Sequence, residues 1–547
     1  MRKGLFLALA ILLLTLTAYL AHLWLIMLED SLLNFSPPFE GKLPPDLPTT
    51  PVSQKLVLVI AEIGEPDAYQ RAGYLKHLME IGAYAPVIWP DAPGNYTPLS
   101  VLLTGASPDM GGVYFTPSPF QADHLLKEAK RAGRTVAFSG PEFWQDMLDA
   151  SDDFDAFFLA EGDDGEQIAR EAARFIRYFH PDFLLVHLGG EAFQQGKPSS
   201  HPDIAGLDEL VRLIGRESNP TQDILAVLLA SGRTSALIIA GKGIKPGRYD
   251  AISATDIAPT LAALMGIPIP TKAQGHILFP ILRLPEDRKA EKAIALARQR
   301  VNLADFYLVN LRGKGLKEGV KGDAIIAQSS FETGNYKEAF ELAHLAIKEA
   351  DQAMAKARER AIEAGQWHRL PLVLIIALLP LIIALIQRRP LTAILFLGGI
   401  LSVTLNAYLF RQECSAPSYN TLYQVLSTWG TIRRTLIALF VPALLPFLWL
   451  LVEGERDLVE VAEALAGYAL FVVYLTALPA LFCLWRIGFT VTWPLPPLSL
   501  YSVQFLSLWQ VILTGLAALP LPFLGMLLFG ILKVSARLGG VNLDFVT

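Results

Sequence analysis

The long apolar runs constrain this chain most: one opens it and the others fill its last third. Residues 5–28, LFLALAILLLTLTAYLAHLWLIML, come directly after Arg2, Lys3 and Gly4. At about 1.5 Å of rise per residue such a run crosses the ~30 Å hydrocarbon core of a bilayer. A cleavable signal has a shorter apolar core and a small-residue cut site, so an uncleaved anchor is expected. Further apolar segments occupy residues 370–386, 391–410, 436–452, 461–484 and about 505–532, which makes six spans. They account for a composition that is 52% hydrophobic and only 18% charged, because the stretch between the first two runs has ordinary soluble composition. If each run crosses once, Arg2, Lys3, Arg388, Arg389, Lys533 and Arg537 share one side, which the positive-inside rule makes cytoplasmic. Both termini are then cytoplasmic and residues 30–368 extracytoplasmic. Arg433 and Arg434 fall on the opposite side, so residues 411–435 are expected to lie at the interface or to re-enter. Glu453, Glu455, Glu460 and Glu463 sit near span ends, so no ion path is evident. The bilayer is the partner these runs imply. A net charge of −6 argues against nucleic acid as another. Both cysteines, Cys414 and Cys483, fall among the spans, leaving the intervening part without a disulfide, a Cys metal site or a Cys nucleophile.

The pattern divides the chain into five regions. Residues 1–29 are the anchor, and residues 30–54 are a Pro-rich spacer expected to be extended and to lift the neighbouring domain off the membrane. Residues 55–285 alternate strand and helix signals. The strand candidates KLVLVIAEIG (55–64), TVAFSG (135–140), DFLLVHLGG (182–190) and SALIIAG (235–241) are separated by helical runs such as GEQIAREAARFIRYF. This alternation predicts an α/β domain with a mostly parallel sheet flanked by helices. Residues 286–368 carry two long Pro-free helical patterns predicted to form a stalk packed on that domain. Within it, FETGNYKEAFELAHLAIKEA resembles one tetratricopeptide hairpin, whereas a solenoid needs about three. Residues 369–547 form a membrane domain of about five helices.

Several pieces in order carry a resemblance: LVLVIAEIG, TPLSVLLTGASPDMGGVYF (97–115), PDFLLVHLGG, ALIIAGKGIKPG (236–247) and TDIAPTLAALMGIPIP. Together they resemble the alkaline phosphatase superfamily, the group containing sulfatases, nucleotide phosphodiesterases and phosphoethanolamine transferases. The order of an anchor, a large domain and several spans also resembles the glycosylphosphatidylinositol ethanolamine-phosphate transferases. The resemblance implies an alkaline-phosphatase-like fold and chemistry on two divalent metals, which stabilise the attacking and leaving oxygens of an ester.

The family's ligands can be sought position by position. The Asp that ends the first strand is replaced by Glu62, whose extra methylene moves the carboxylate by more than about 1 Å. Asn95 stands at the nucleophile position, with Thr97 two residues on. Glu191 and Gln195 take the places of an Asp-x-x-x-His pair. The Ser-Asp-His-Gly turn is reduced to Ser231, Gly232 and Arg233, and Gly111 replaces a frequent His. His187 reads as a core histidine within a strand, and His201 and His276 as surface residues. Asp256 reads as a helix N-cap ahead of Pro259. The resemblance therefore implies a scaffold without its catalytic set and without a metal cofactor, which leaves enzymatic activity undecided and leans against it. The domain is expected to serve binding or assembly, with Arg233 and Lys242 as candidate contacts to an anionic ligand and with partner subunits on the domain or the stalk. The alternative is an active hydrolase or phosphotransferase on lipid-linked or envelope substrates, using zinc or magnesium with Glu62, Thr97 and Glu191.

Overall fold

The computed structural model describes residues 4–37, 39, 43–62, 73–91, 94–162, 164–189, 204–219, 221–230, 235–387, 390–410, 429–452 and 457–538. Its chain divides into two compact units, Phe35–Ala361 and a second built from Met1–Asn34 with Ile362–Thr547.

The Phe35–Ala361 unit is built on β1 (Leu56–Glu62), β2 (Ala83–Ile88), β3 (Val136–Pro141), β4 (Ala156–Ala160), β5 (Phe183–Leu188), β6 (Ile224–Ala230), β7 (Ser235–Gly241), β8 (Gly247–Arg248) and β9 (Ile252–Ser253). They form one mixed sheet in the order β4-β3-β5-β1-β6-β7-β2-β8, with β9 beside β2. Pairing is parallel from β4 to β6, and β7 runs antiparallel to both β6 and β2. The central strands are apolar throughout because both sheet faces are covered. Val57, Val59, Ala61, Leu184 and Val186 pack with the helices Gly73–Ile81, Gly165–Arg174 and Ile204–Arg216. By strand alternation Leu58, Ile60, Glu62, Leu185 and His187 point to the other face. The mostly parallel sheet flanked by helices is the architecture anticipated from the sequence.

Residues 286–361 begin with the helices Glu286–Arg312 and Glu318–Glu332 and end within the helix Tyr336–Gln387. They join the α/β core through polar clamps rather than as a detached rod. Gln299 Nε2 donates to the carbonyls of Thr271 and Ala273, both at 2.9 Å, and fully buried Arg300 donates to Gly275 O at 2.6 Å and pairs with Asp351. The Pro-rich stretch is extended and tied to its neighbours by specific bonds. Thr50 N and Oγ1 donate to Glu291, Lys292 Nζ donates to Thr50 O at 2.9 Å, and Asp46 pairs with Arg298 at 3.2 Å. Phe39 stacks on Tyr307 at 4.9 Å. An extended strap thus lies along the helix Glu286–Arg312, because its own carbonyls and hydroxyls meet that helix's charged side chains.

In the second unit five described helices are long and apolar enough to cross a bilayer, which makes the chain an integral membrane protein. The helix Tyr336–Gln387 adds a further apolar run at its end. Contacts fix the relative directions. Gly4 N donates to Glu463 near the start of the helix Leu458–Arg486, while Ser31 accepts from Val491 just beyond its end, so Leu5–Leu33 runs parallel to it. Arg369 meets Leu484 and Ala377 meets Tyr474, an antiparallel pair. Phe396 meets Phe471, and Ser402 donates to Ala438 while Gly398 faces Pro442, so Pro390–Phe410 is parallel and Trp429–Val452 antiparallel. Leu500 meets Cys483 and Gly530 faces Leu458. The helices Leu498–Ala518 and Leu521–Leu538 therefore act as one antiparallel run bent at Leu519–Pro520. Six runs alternate in direction, and Asn34 and Ile362 fall at the same end of the bundle.

Candidate functional site

In open α/β sheets ligands bind beyond the carboxyl ends of the strands. Glu62 ends β1 there, opposite Ala230 of β6, and His187 sits across from Ile60. On their shared face His187 Nε2 lies 3.3 Å from Glu62 Oε1. His187 is fully buried and its Nδ1 accepts from Trp144 Nε1 at 2.8 Å. With Nδ1 accepting, the ring proton sits on Nε2 and faces the carboxylate. Phe143 and Trp144 stand edge-on to the imidazole at 5.7 and 5.8 Å, and Tyr96 meets Phe143 at 5.2 Å. Gly189 is needed beside this pair, since a Cβ there would lie 2.8 Å from Glu62 Cδ. The structure therefore joins Glu62, His187, Trp144, Phe143 and the Asn95–Tyr96 turn. The reading of His187 as a core histidine holds for its burial but misses its partner. The only sequence signal was its register against β1.

The remaining candidates separate. Thr97 is fully buried and its Oγ1 accepts from Tyr114 N at 2.8 Å, which makes it a brace of the turn before the helix Thr97–Thr104. Asn95 lies half-buried in that turn. Glu191, Gln195, His201 and Arg233 lie outside the described residues. Lys242 is a correction. It follows Gly241, which pairs with Ile224 at the start of β6, whereas Glu62 pairs with Ala230 at its end. A strand of that length puts Lys242 roughly 20 Å from Glu62, so it does not line this site. The N-cap reading of Asp256 is corrected in its bonding. Asp256 does occupy the N-cap position of the helix Ile257–Met265 but makes no capping bond to it. Ser253 caps the preceding turn, and the Asp256 carboxylate accepts from the backbone N–H of Ser253 at 3.1 Å and of His276 at 2.8 Å.

His276, expected at the surface, is half-exposed but not isolated. Asp256 at 3.9 Å and Asp351 at 3.1 Å from its ring nitrogens hold the imidazole up at about 9. Asp351 makes the bond, and the longer Asp256 contact acts through charge. The Asp351 carboxyl is held below the usual range by His276 and Arg300, against the upward pull of burial. This cluster ties the segment after β9 to the long helices and stands apart from the Glu62 edge.

Among the described residues no group of three or more His, Cys, Asp or Glu side chains is placed to hold a metal ion. The Glu62–His187 pair supplies two donors, fewer than the two-metal set the resemblance implies, and the positions of Glu191, Gln195 and Ser231 to Arg233 lie outside the described residues.

Membrane-crossing helices together with this mostly parallel α/β domain give the architecture that the sequence resemblance to the alkaline phosphatase superfamily implies: an integral membrane protein with a large α/β domain. More particularly, the chain is similar to the catalytic subunit of human GPI ethanolamine phosphate transferase 2, at 23% identity over 277 residues, 42% of this chain and 28% of that protein. It is similar also to the mouse GPI ethanolamine phosphate transferase 3 catalytic subunit, at 24% over 234 residues, 37% of this chain and 21% of the relative. The chain thus spans less than a third of the length of these relatives. No family model matches it. Among solved structures, human ectonucleotide pyrophosphatase/phosphodiesterase 5 aligns at 12% identity and TM-score 0.30, covering 39% of this chain and 95% of that one. Phosphonate monoester hydrolase from Silicibacter pomeroyi aligns at 12% and 0.29, covering 43% and 77%.

Proposed function

We propose that the α/β domain is a catalytically degenerate, extracytoplasmic member of the alkaline phosphatase superfamily that serves binding or assembly. The observation that carries the proposal is the Glu62–His187 contact. At the end of the first strand, where the resemblance puts a metal-binding Asp, a longer carboxylate faces an imidazole held by Trp144. The two stand 3.3 Å apart without an aligned hydrogen bond, and one carboxylate and one imidazole are fewer donors than a two-metal site needs. Thr97 is spent on Tyr114. The ligand class is drawn from the relatives, whose names specify ethanolamine phosphate: a phosphate-bearing headgroup held without turnover. Arg233, in the segment after Ala230, is the candidate contact, and partner subunits would meet the domain or the helices of residues 286–361. Sidedness rests on the arginines and lysines near residues 2, 388 and 533, which put the N-terminal end of the bundle in the cytoplasm.

The similarity to transferases favours a second reading, an active phosphotransferase with a divalent metal on Glu62 and Glu191. Elemental analysis of the purified full-length protein separates the two. The binding reading expects no stoichiometric zinc and no turnover of phosphate mono- or diesters. Two tightly bound metals per chain, or activity abolished by Glu62→Ala, would overturn it.

A further inference from the structure

The helix Tyr336–Gln387 enters the membrane unit beside the end of Leu458–Arg486, and the two helices bring Arg369 and Arg486 to the same level of the bundle. Among the described residues neither arginine has an acidic partner within ion-pair distance. Arg369 Nε donates to Gly365 O at 2.8 Å and its Nη1 to Leu484 O at 3.3 Å. Arg486 reaches Gln366 Oε1 at 3.5 Å and lies over the Trp485 ring at 5.6 Å. Gln366 and Arg369 are one helical turn apart, so both guanidinium groups make contacts with the same turn of that helix. Carbonyl contacts fix the planes but leave N–H donors over on both groups, with no acidic partner among the described residues.

Two glycines shape this place. A Cβ at Gly365 would lie 2.6 Å from Arg369 Nη2, and one at Gly488, whose φ is +97°, would lie 2.9 Å from Nη1. The guanidinium therefore rests in a cradle of bare backbone between two helices, unlike an arginine that swings freely toward water. Trp24 marks the depth. Its Nε1 donates to Phe489 O at 2.8 Å and its ring meets Phe489 at 5.1 Å, beside the apolar cluster of Val373, Leu481, Leu484 and Trp485. Indoles at this level belong to the interface where headgroups lie. Two cations held at that depth favour an anion beside them, and the planar fork of arginine matches phosphate oxygens in pairs.

We propose that Arg369 and Arg486 form a binding site for a phosphate anion, at the end of the bundle opposite the N-terminus. The shared chemistry is one phosphate with at least two free oxygens, carried by a phospholipid headgroup or free in solution. The site belongs to the membrane unit and does not depend on the reading of the Glu62 edge.

The test uses full-length protein in dodecylmaltoside micelles, with the thermal unfolding midpoint read against added phosphatidylglycerol or inorganic phosphate. Phosphatidylglycerol should raise the midpoint saturably. Arg369→Gln and Arg486→Gln should each weaken its apparent affinity about five-fold, and the double variant about thirty-fold. Arg369→Lys keeps the charge without the fork and should fall between. If Arg369→Gln does not fold, Arg369→Lys and Arg486→Gln carry the comparison. A shift with lipid alone assigns the headgroup as the source, and an equal shift with inorganic phosphate at matched concentration assigns the free ion. No shift with either probe, or a lipid shift unchanged in the double variant, overturns the proposal.

Discussion

Replacing His187 by Phe tests whether the Glu62 edge is a structural pair or a vacated ligand set. Phe keeps a ring between Phe143 and Trp144 but accepts no hydrogen bond. Trp144 is 1% exposed and donates to His187 Nδ1 at 2.8 Å, so its indole N–H is left buried without an acceptor. That costs about 1–3 kcal/mol. Glu62, 13% exposed at its side chain, loses only a weakly aligned donor and can turn to water. A net loss of about 2 kcal/mol is expected, which lowers the unfolding midpoint of a unit this size by roughly 4 °C. Glu62→Ala should cost less. The double variant should recover about 1 kcal/mol of the summed losses, since the two groups touch. The assay is thermal unfolding of each variant, full length in detergent, followed by near-ultraviolet circular dichroism with and without EDTA. A structural pair gives the same losses under both conditions. If EDTA alone lowers the wild-type midpoint as far as His187→Phe does, and the variants then no longer differ, the pair is a metal site and the reasoning fails.

Arg300→Met should loosen the join between the long helices and the α/β core by about 3 kcal/mol, because it strips Asp351 and Gly275 O of a fully buried partner. Hydrogen exchange should then accelerate in residues 286–312 and 336–361 ahead of β1 and β5, and unchanged exchange there would refute the clamp. His276, raised from 6.5 to about 9 by Asp256 and Asp351, adds stability that is full below pH 6.5 and fades as pH rises through about 9. The contribution is modest because the ring is half-exposed, and a ring titrating near 6.5 by NMR would remove it. Reporters fused after Gly247 and after residue 389 should fall on opposite sides of the membrane. The same side for both would contradict six crossings.

Much of this was legible in the sequence because it depends on local pattern. Apolar runs of the right length announce membrane helices, and LVLVIAE and FLLVHL announce strands covered on both faces. The end of the last apolar run was less legible, since Pro520 bends it without ending it. What pattern does not encode is meeting across the sheet. Glu62 and His187 come together only through the parallel register of β1 and β5, and Trp144 reaches them from a third connection. The N-cap position read for Asp256 holds, but its bonding partners were missed for a related reason. A carboxylate three residues after Ser253 belongs to a capping box, and its second bond comes from His276, distant in sequence. Lys242 was misplaced because the sequence does not say that β7 runs against β6.

The helix Leu5–Leu33 turns Ala10, Leu14, Ala18, Ala21, Leu25 and Leu28 inward, and Gly515 comes to rest against Ala18. Its closest packing is thus with a segment translated hundreds of residues later. At a synthesis rate of about 5–20 residues per second, that delay is on the order of a minute. During it the first helix stands in the bilayer with its small-residue face turned to lipid. Bundle closure is therefore a late event in biogenesis, after the whole Phe35–Ala361 unit has been synthesised. A ribosome stalled before residue 498 leaves an orphan helix with a ready-made docking stripe. That is the kind of unassembled surface by which membrane quality control recognises an unfinished chain.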